Sequence, residues 1–193
     1  MKLLSKLFVP AFLLSITFQA QAQVQTLSYS FVELGYNDTT LDFNGSDVDG
    51  DGFYGAASYE VSNSIFIGAS IGSLSYDFDI DQDVFELGIG AHTPLSRQTD
   101  LYGTVSYLDA EVSQRILGTT DDSGYALAVG IRHLLTDTLE ISGAINYVDI
   151  FNDDSTGLNL EARYYFGDVI STALAYATTD NADGLSLSIR INF

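Results

Sequence analysis

Two stretches of the chain concentrate groups able to hold a cation. DVDGDG, residues 47–52, sets Asp47, Asp49 and Asp51 at alternate positions and follows them with Gly52, which is how an EF-hand calcium loop opens. Calcium takes several hard oxygens at once, and alternating carboxylates in a turning loop supply them. The twelfth position of that loop is Ser58, where the motif requires glutamate, so an EF-hand is rejected. YDFDIDQD adds Asp77, Asp79, Asp81 and Asp83. What remains is weak binding of Ca2+ or Mg2+ by Asp47, Asp49, Asp51, Asp77, Asp79 and Asp81, set against the simpler reading of a solvated, self-repelling loop set. No tightly held cofactor is expected.

Catalytic sets are harder to assemble. The chain has two histidines, His92 and His133, and neither falls near the acid-rich segments. A Ser-His or His-carboxylate couple cannot be built there from these positions. Adjacent acids such as Asp121–Asp122 and Asp153–Asp154 are abundant, but exposed pairs of this kind solubilise more often than they catalyse. Cysteine is absent, which excludes disulfides and metal thiolates. An enzyme is not expected.

The elements that carry these residues follow from hydropathy. Lys2 and Lys6, an apolar run from Leu7 to Phe18 and the small-residue site Ala20-Gln21-Ala22 form a secretory signal peptide, residues 1–22, cleaved after Ala22. The run is too short for a spanning helix, which needs roughly 20 apolar residues. The mature domain, 23–193, keeps five arginines against 26 carboxylates, a formal charge of −21 that makes nucleic acid an improbable partner. With 46% hydrophobic residues, 12 Tyr and 12 Phe, it is nevertheless a chain that folds, so acid and grease must be segregated.

Alternation of period two does the segregating. Phe85-Leu87-Ile89-Ala91, Tyr125-Leu127-Val129-Ile131, Leu139-Ile141-Gly143-Ile145-Tyr147, Leu158-Leu160-Ala162-Tyr164-Phe166 and Leu185-Leu187-Ile189-Ile191-Phe193 each interleave with polar or small residues. The same template places ten strands, at about 26–36, 51–61, 64–76, 82–94, 99–111, 122–134, 138–150, 156–166, 169–179 and 183–193. Short connections such as Ser62-Asn63 alternate with longer acidic ones such as Asn37 to Gly50 and Val112 to Asp121. Leu27, Tyr29 and Phe31 oppose Val32, Leu34 and Tyr36 in parity, which predicts a bulge near Phe31–Val32. Leu74 and Tyr76 suggest a similar slip after Ile71.

The dry faces run for about the nine to eleven residues that span a bilayer, and the opposite faces are rich in Gly, Ala and Ser. Aromatic residues gather at strand ends: Tyr59, Tyr164, Phe166 and Phe193 at one interface, Phe53, Tyr107, Tyr125, Tyr147 and Tyr176 at the other. In hydrocarbon no sheet edge can stay open. The expectation is an all-β, ten-stranded antiparallel up-and-down transmembrane β-barrel, with eight strands as the alternative count, in place of a secreted sandwich.

Inside it, Glu60, Glu86, Glu140, Glu161, Arg132, Arg163 and Arg190 should form a polar network with His92, Asn146 and Asn159, joined by Glu33 if the first strand bulges as expected. Arg132 and Glu140 flank one short turn on one face and should pair across it. Such a network either lines a narrow passive channel or fills a packed polar core, and a barrel of this size favours the core.

The signal peptide, LSYSFVELGY at 27–36 and the terminal Ser-Ile-Arg-Ile-Asn-Phe resemble the small outer-membrane β-barrel family that includes OmpX-like and opacity-like proteins. DVDGDGFYGAASYEV at 47–61 and DVFELGIGAHTPLS at 83–96 are most similar to its acidic barrels described as activators of plant immunity. The resemblance covers essentially the whole mature chain. It implies outer-membrane localisation and a C-terminal strand, ending in Phe193, that the barrel-assembly machinery reads. Expected partners are that machinery, outer-membrane lipid and lipopolysaccharide, and a surface ligand for the acidic loops, with the barrel a monomer in a structural, adhesive or surface-interaction role.

Overall fold

The computed structural model describes residues 27–43, 46–115 and 118–193; the expected signal peptide and its cleavage site lie outside the described residues. Ten strands form: β1 Phe31–Phe43, β2 Ser46–Ser62, β3 Ile65–Tyr76, β4 Ile80–Pro94, β5 Thr99–Gln114, β6 Gly118–Thr136, β7 Leu139–Ile150, β8 Asp153–Tyr165, β9 Ile170–Thr179 and β10 Ala182–Asn192. Each pairs antiparallel with its sequence neighbours, and β10 returns to β1, closing the sheet. The seam runs from Phe31 opposite Asn192 to Leu41 opposite Ala182. No helix of the described chain is long and apolar enough to cross a membrane, a test that does not bear on strands.

The barrel is inside out relative to a water-soluble protein. Val129, Ile145, Leu187 and Ile189 stand on the outer wall more than half exposed, while Arg132, Arg163 and Arg190 are buried within. A continuous apolar outer band of this extent is not what a soluble monomer presents to water. Each strand keeps its alternation because a slip of one residue would exchange the two faces wholesale.

Three expectations are corrected. There is no bulge at Phe31–Val32: β1 begins at Phe31 with its ring inward, and Leu27 to Ser30 before it are not strand but are buried. The parity conflict read from Leu27, Tyr29 and Phe31 marks a segment tucked into the mouth of the barrel. There is no slip in β3, whose pairing with β4 runs unbroken from Ile65 to Tyr76. Leu74 and Tyr76 point inward because the lumen at that end is apolar, walled by Leu41, Val48, Ile80 and Val112. Register shifts occur instead in β2 between Glu60 and Ser62 and in β6 between Leu134 and Thr136.

The third correction concerns the long acidic connections. Most of their length is paired strand: β1 runs on to Phe43, β2 starts at Ser46, and β5 and β6 extend to Gln114 and Gly118. The asymmetry between the two ends therefore lies in how far the hairpins project. We call the end holding the β2–β3, β4–β5, β6–β7 and β8–β9 connections the turn end, and the other the hairpin end. At the hairpin end β7 passes to β8 through Phe151 and Asn152, with φ of 57° and 60°. Two successive positive φ values give the tight turn whose twist matches a hairpin, and asparagine suits it better than phenylalanine. Phe151 takes that conformation with its ring packed on the apolar clusters inside the mouth.

Inward glycines let the lumen fill. Gly35, Gly50, Gly90 and Gly130 each pair directly across the sheet with an aromatic residue: Tyr54, Tyr76, Phe66 and Tyr102. In every case a Cβ on the glycine would run into that ring, so the ring lies flat over the bare backbone. Gly130→Val is expected to push Tyr102 off its wall and cost about 1–3 kcal/mol by overpacking. A lower urea midpoint for the refolded barrel in detergent checks this, with Ala128→Val, whose cross-strand partners are Thr104 and Asn146, as the comparison.

Candidate functional site: the charged interior

Two ion networks occupy the turn-end half of the lumen. At the seam, Glu33 of β1 stands directly opposite Arg190 of β10. Its Oε2 accepts hydrogen bonds from Arg190 Nε at 2.6 Å and from Arg163 Nη2, on β8, at 2.8 Å. Its Oε1 accepts from the Tyr54 hydroxyl of β2 at 3.0 Å. Arg163 donates further to Glu161 Oε1 at 3.0 Å and to Ser171 Oγ at 3.3 Å. The Arg190 guanidinium also lies 3.8 Å from the centroid of the Phe31 ring. One carboxylate thus ties together four strands across the point where the cylinder closes.

The second network sits on β6, β7 and β8. Arg132 donates from Nε and Nη2 to the two oxygens of Glu140 at 2.6 and 2.7 Å, a bidentate fork. The Tyr165 hydroxyl donates to Glu140 Oε2 at 2.5 Å. The two charged residues are one step offset, with Arg132 opposite Ser142 and Glu140 opposite Leu134. Long side chains on one face close that diagonal easily. Both guanidiniums and carboxylates are nearly fully buried, so the charges survive only because each is matched and hydrogen-bonded.

Tyr29, from the segment ahead of β1, stacks over this layer. Its ring is 4.7 Å from Phe66, 4.6 Å from His92 and 5.3 Å from the Arg132 guanidinium. His92 Nδ1 approaches Asp100 Oδ2 at 3.4 Å, both groups buried. Sequence reasoning missed Tyr29 and Asp100. Asp100 was within reach, since it shares inward parity with Tyr102; Tyr29 alternates with Leu27 and Phe31, an apolar series that reads as lipid-facing and instead lies buried ahead of β1 and at its first residue.

The remaining candidates separate. Glu86 is buried in the middle of β4, in no ion pair among the described residues, with Ser70 and Leu108 opposite it. Glu60 stands near the turn end, where its backbone amide donates to Ser30 Oγ at 3.1 Å. His133 is on the outer side, bonded to Thr99 Oγ1 at 2.9 Å. Phe193 ends the chain exposed, its amide bonded to Ser30 O at 3.0 Å. Asp47, Asp49 and Asp51 spread along β2, with Asp49 accepting from Thr40. Asp79 pairs loosely with Arg115 at 3.7 Å, Asp81 accepts from Ser75, and Asp77 lies in the β3–β4 turn. Among the described residues no three carboxylates or imidazoles gather as a metal site.

The hairpin end of the lumen is mainly apolar. Leu41, Val48, Leu74, Tyr76, Ile80 and Val112 form one buried cluster, and Leu108, Ala110, Ala126, Val148 and Ile150 another, with Phe151 against both. Aromatic packing and ion pairs fill one half, and mostly apolar side chains, with Thr39 and Gln82 buried among them, fill the other.

Comparison with known proteins agrees with this geometry. Residues 10–166 match the family model described as the outer membrane protein β-barrel domain. The sequence has no match among curated proteins. The outer-membrane protease OmpT of Escherichia coli is similar in fold, with a TM-score of 0.53, 11% identity, and 85% of this chain and 96% of that one covered. The COG4313 outer-membrane channel of Pseudomonas putida F1 is similar with a TM-score of 0.52, 10% identity and coverages of 85% and 95%. The translocator domain of the autotransporter NalP of Neisseria meningitidis gives 0.51, 11%, 84% and 87%. At such identities they speak for the fold alone, whereas the family match takes in most of the chain and the first eight strands of a cylinder closed by its tenth. The chain belongs to the outer membrane protein β-barrel domain family.

Proposed function

We propose that this outer-membrane barrel works as a sealed wall element whose projecting acidic hairpins form a surface for interaction, and that it is neither a channel nor an enzyme. The observation that carries the reading is the burial of inward groups in a layer toward each end of the lumen, on either side of a middle zone where Gly88, Thr104, Ala128, Ala175 and Ser186 are only half-buried. Arg132 and Arg163 near the turn end, Gln82 toward the hairpin end, and Leu108 and Ile150 beneath the hairpins are each at most 1% exposed. A water-filled path would wet at least one of these layers. The alternative of a narrow porin-like passage has inward charge in its favour, but its path would have to cross the buried layers of Arg132 and Arg163 at one end and Leu108 and Ile150 at the other.

On this reading the turn end faces the periplasm and the hairpins face outward, where Asp47, Asp49, Asp51, Asp79 and Asp81 are exposed. The resemblance of 47–61 and 83–96 to acidic barrels described as activators of plant immunity supports a role in surface recognition. Lipopolysaccharide is the surrounding solvent, with any Ca2+ or Mg2+ held weakly at the acidic hairpins. The barrel-assembly machinery reads the strand ending at Phe193. The His92–Asp100 pair is buried beside Tyr29, which leaves it no room to meet a substrate.

Planar-bilayer recording on the mature protein tests this. The expected result is a baseline without discrete conductance steps across the full voltage range. Reproducible unitary steps that vanish in Glu86→Gln would replace the sealed barrel by the channel.

A further inference from the structure

Between the two packed layers the middle of the bore has small and polar walls. On β4, Glu86 lies between His92, beside Tyr29, and Ile80 of the hairpin-end cluster; on β7, Asn146 lies between Ala144, which packs with Tyr29 and Tyr102, and Val148. Gly88, Thr104 and Ala128 on one side and Ala175 and Ser186 on the other occupy inward positions yet are only half-buried, so they border a space that side chains do not fill. The Ser106 hydroxyl is walled in without a partner. By contrast, the carboxylate of Glu86 and the polar ends of Ser70, Asn37, Asn146 and Asn159 keep accessible surface and make no side-chain hydrogen bond to another described residue. Glu86 also lacks a counter-charge. Arg132 is matched by Glu140, Arg163 and Arg190 by Glu33 and Glu161, and Asp100 faces His92, so no cation lining the described lumen is left for it.

We propose that this middle chamber holds one monovalent cation of the sodium class, with Glu86 as its charged ligand, the Ser70 hydroxyl opposite on β3 as a neutral one, and water hydrogen-bonded to Asn37, Asn146 and Asn159 completing its shell. A carboxylate in a closed interior is costly until a cation matches it. One carboxylate matches one positive charge. A divalent ion would leave a charge over and takes several hard oxygens at once, and among the described residues no three carboxylates or imidazoles gather. Buried water of this kind bridges amides and hydroxyls that the protein itself leaves unmatched. Closed ends, as proposed above, are what the site rests on: they keep the cation from bulk water on both sides.

Urea unfolding of the mature protein in neutral detergent tests the site, with NaCl, N-methyl-D-glucamine chloride and MgCl2 compared at equal ionic strength. Sodium and the bulky organic cation screen the acidic hairpins alike, so a difference between them reports a site that only the small ion enters. The midpoint is expected to rise saturably as Na+ replaces N-methyl-D-glucamine, because an ion held only by the folded state adds stability once its concentration passes its dissociation constant. Glu86→Gln should abolish that rise, and Asp83→Asn, exposed on the outer face of the same strand, should keep it. In the organic salt Glu86→Gln should unfold at the same urea concentration as the parent or a higher one, since it removes an unmatched charge; failure of the variant to refold, read from the gel mobility of the unboiled form, therefore counts against the site. Equal midpoints in the two monovalent salts, a rise preserved in Glu86→Gln, or a Glu86-dependent rise just as large in Mg2+ would overturn it. Conductance steps in planar bilayers would break the sealed-barrel reading without altering this readout, so the two fail separately.

Discussion

Glu33→Ala is expected to remove about 3–5 kcal/mol of folded stability, the range for breaking one side of a buried ion pair. The carboxylate faces Arg190 at 2.6 Å and Arg163 at 2.8 Å, and both guanidiniums are almost wholly excluded from solvent. Arg163 keeps Glu161 after the change, but the oxygen shared between β1, β8 and β10 is gone. The loss falls on the closing seam. The unboiled protein should therefore convert to its slow-migrating form at a much lower temperature, and the urea midpoint in detergent should drop with it. Asp81→Ala, at an exposed hairpin position, should shift the midpoint by no more than about 0.5 kcal/mol. Equal behaviour of the two variants would mean that the seam is held by its backbone ladder alone.

Ile145→Arg is the second large effect. Ile145 is 62% exposed on β7, between Val129 of β6 and Leu158 of β8. All three side chains point to the outer wall. In hydrocarbon an arginine near the bilayer midplane costs about 2–4 kcal/mol, while the same change on a water-facing sheet stays within about 0.5 kcal/mol. Reversible urea unfolding in lipid vesicles reads the difference. A near-neutral Ile145→Arg would take the lipid away from the outer wall and with it the assignment of inside and outside.

Much of the wall was legible because the side-chain period is two and one face is committed. Leu185, Leu187, Ile189 and Ile191 alternate without interruption, and the structure places all four outward. The Arg132–Glu140 pair was legible too, since a short turn brings neighbouring strands into known opposition. Its one-step offset was not, because it depends on where the turn falls, between Thr136 and Leu139, and on the register shift that follows between Leu134 and Thr136. Glu33 reaches the lumen without the bulge that its inward placement was expected to need, because Val32, Leu34 and Tyr36 alone set the outer face there, and its partner on the final strand depends on the register of closure, which no local pattern carries.

The acidic hairpins misled for a physical reason. Asp and Gly disfavour strands, so residues 37–50 read as loop. The barrel extends them regardless, with Asp38 opposite Asp51, Asp42 opposite Asp47 and Glu111 opposite Asp121. Like charges facing each other across a ladder oppose pairing. The backbone hydrogen bonds propagated from the barrel below prevail over that repulsion. The buried Leu41, Val48 and Val112 help, since they anchor the inner face of the same hairpins.

The hydrocarbon stopper beneath the hairpins bears on how many copies an envelope can carry. A barrel with a wet bore adds a leak for every molecule inserted, so its abundance trades against the barrier to toxic solutes. On the sealed-barrel reading proposed above, a bore filled by Leu41, Leu74, Val148, Ile150 and Phe151 adds area without adding permeability. Crowding the surface with its acidic coat then leaves the membrane as tight as before.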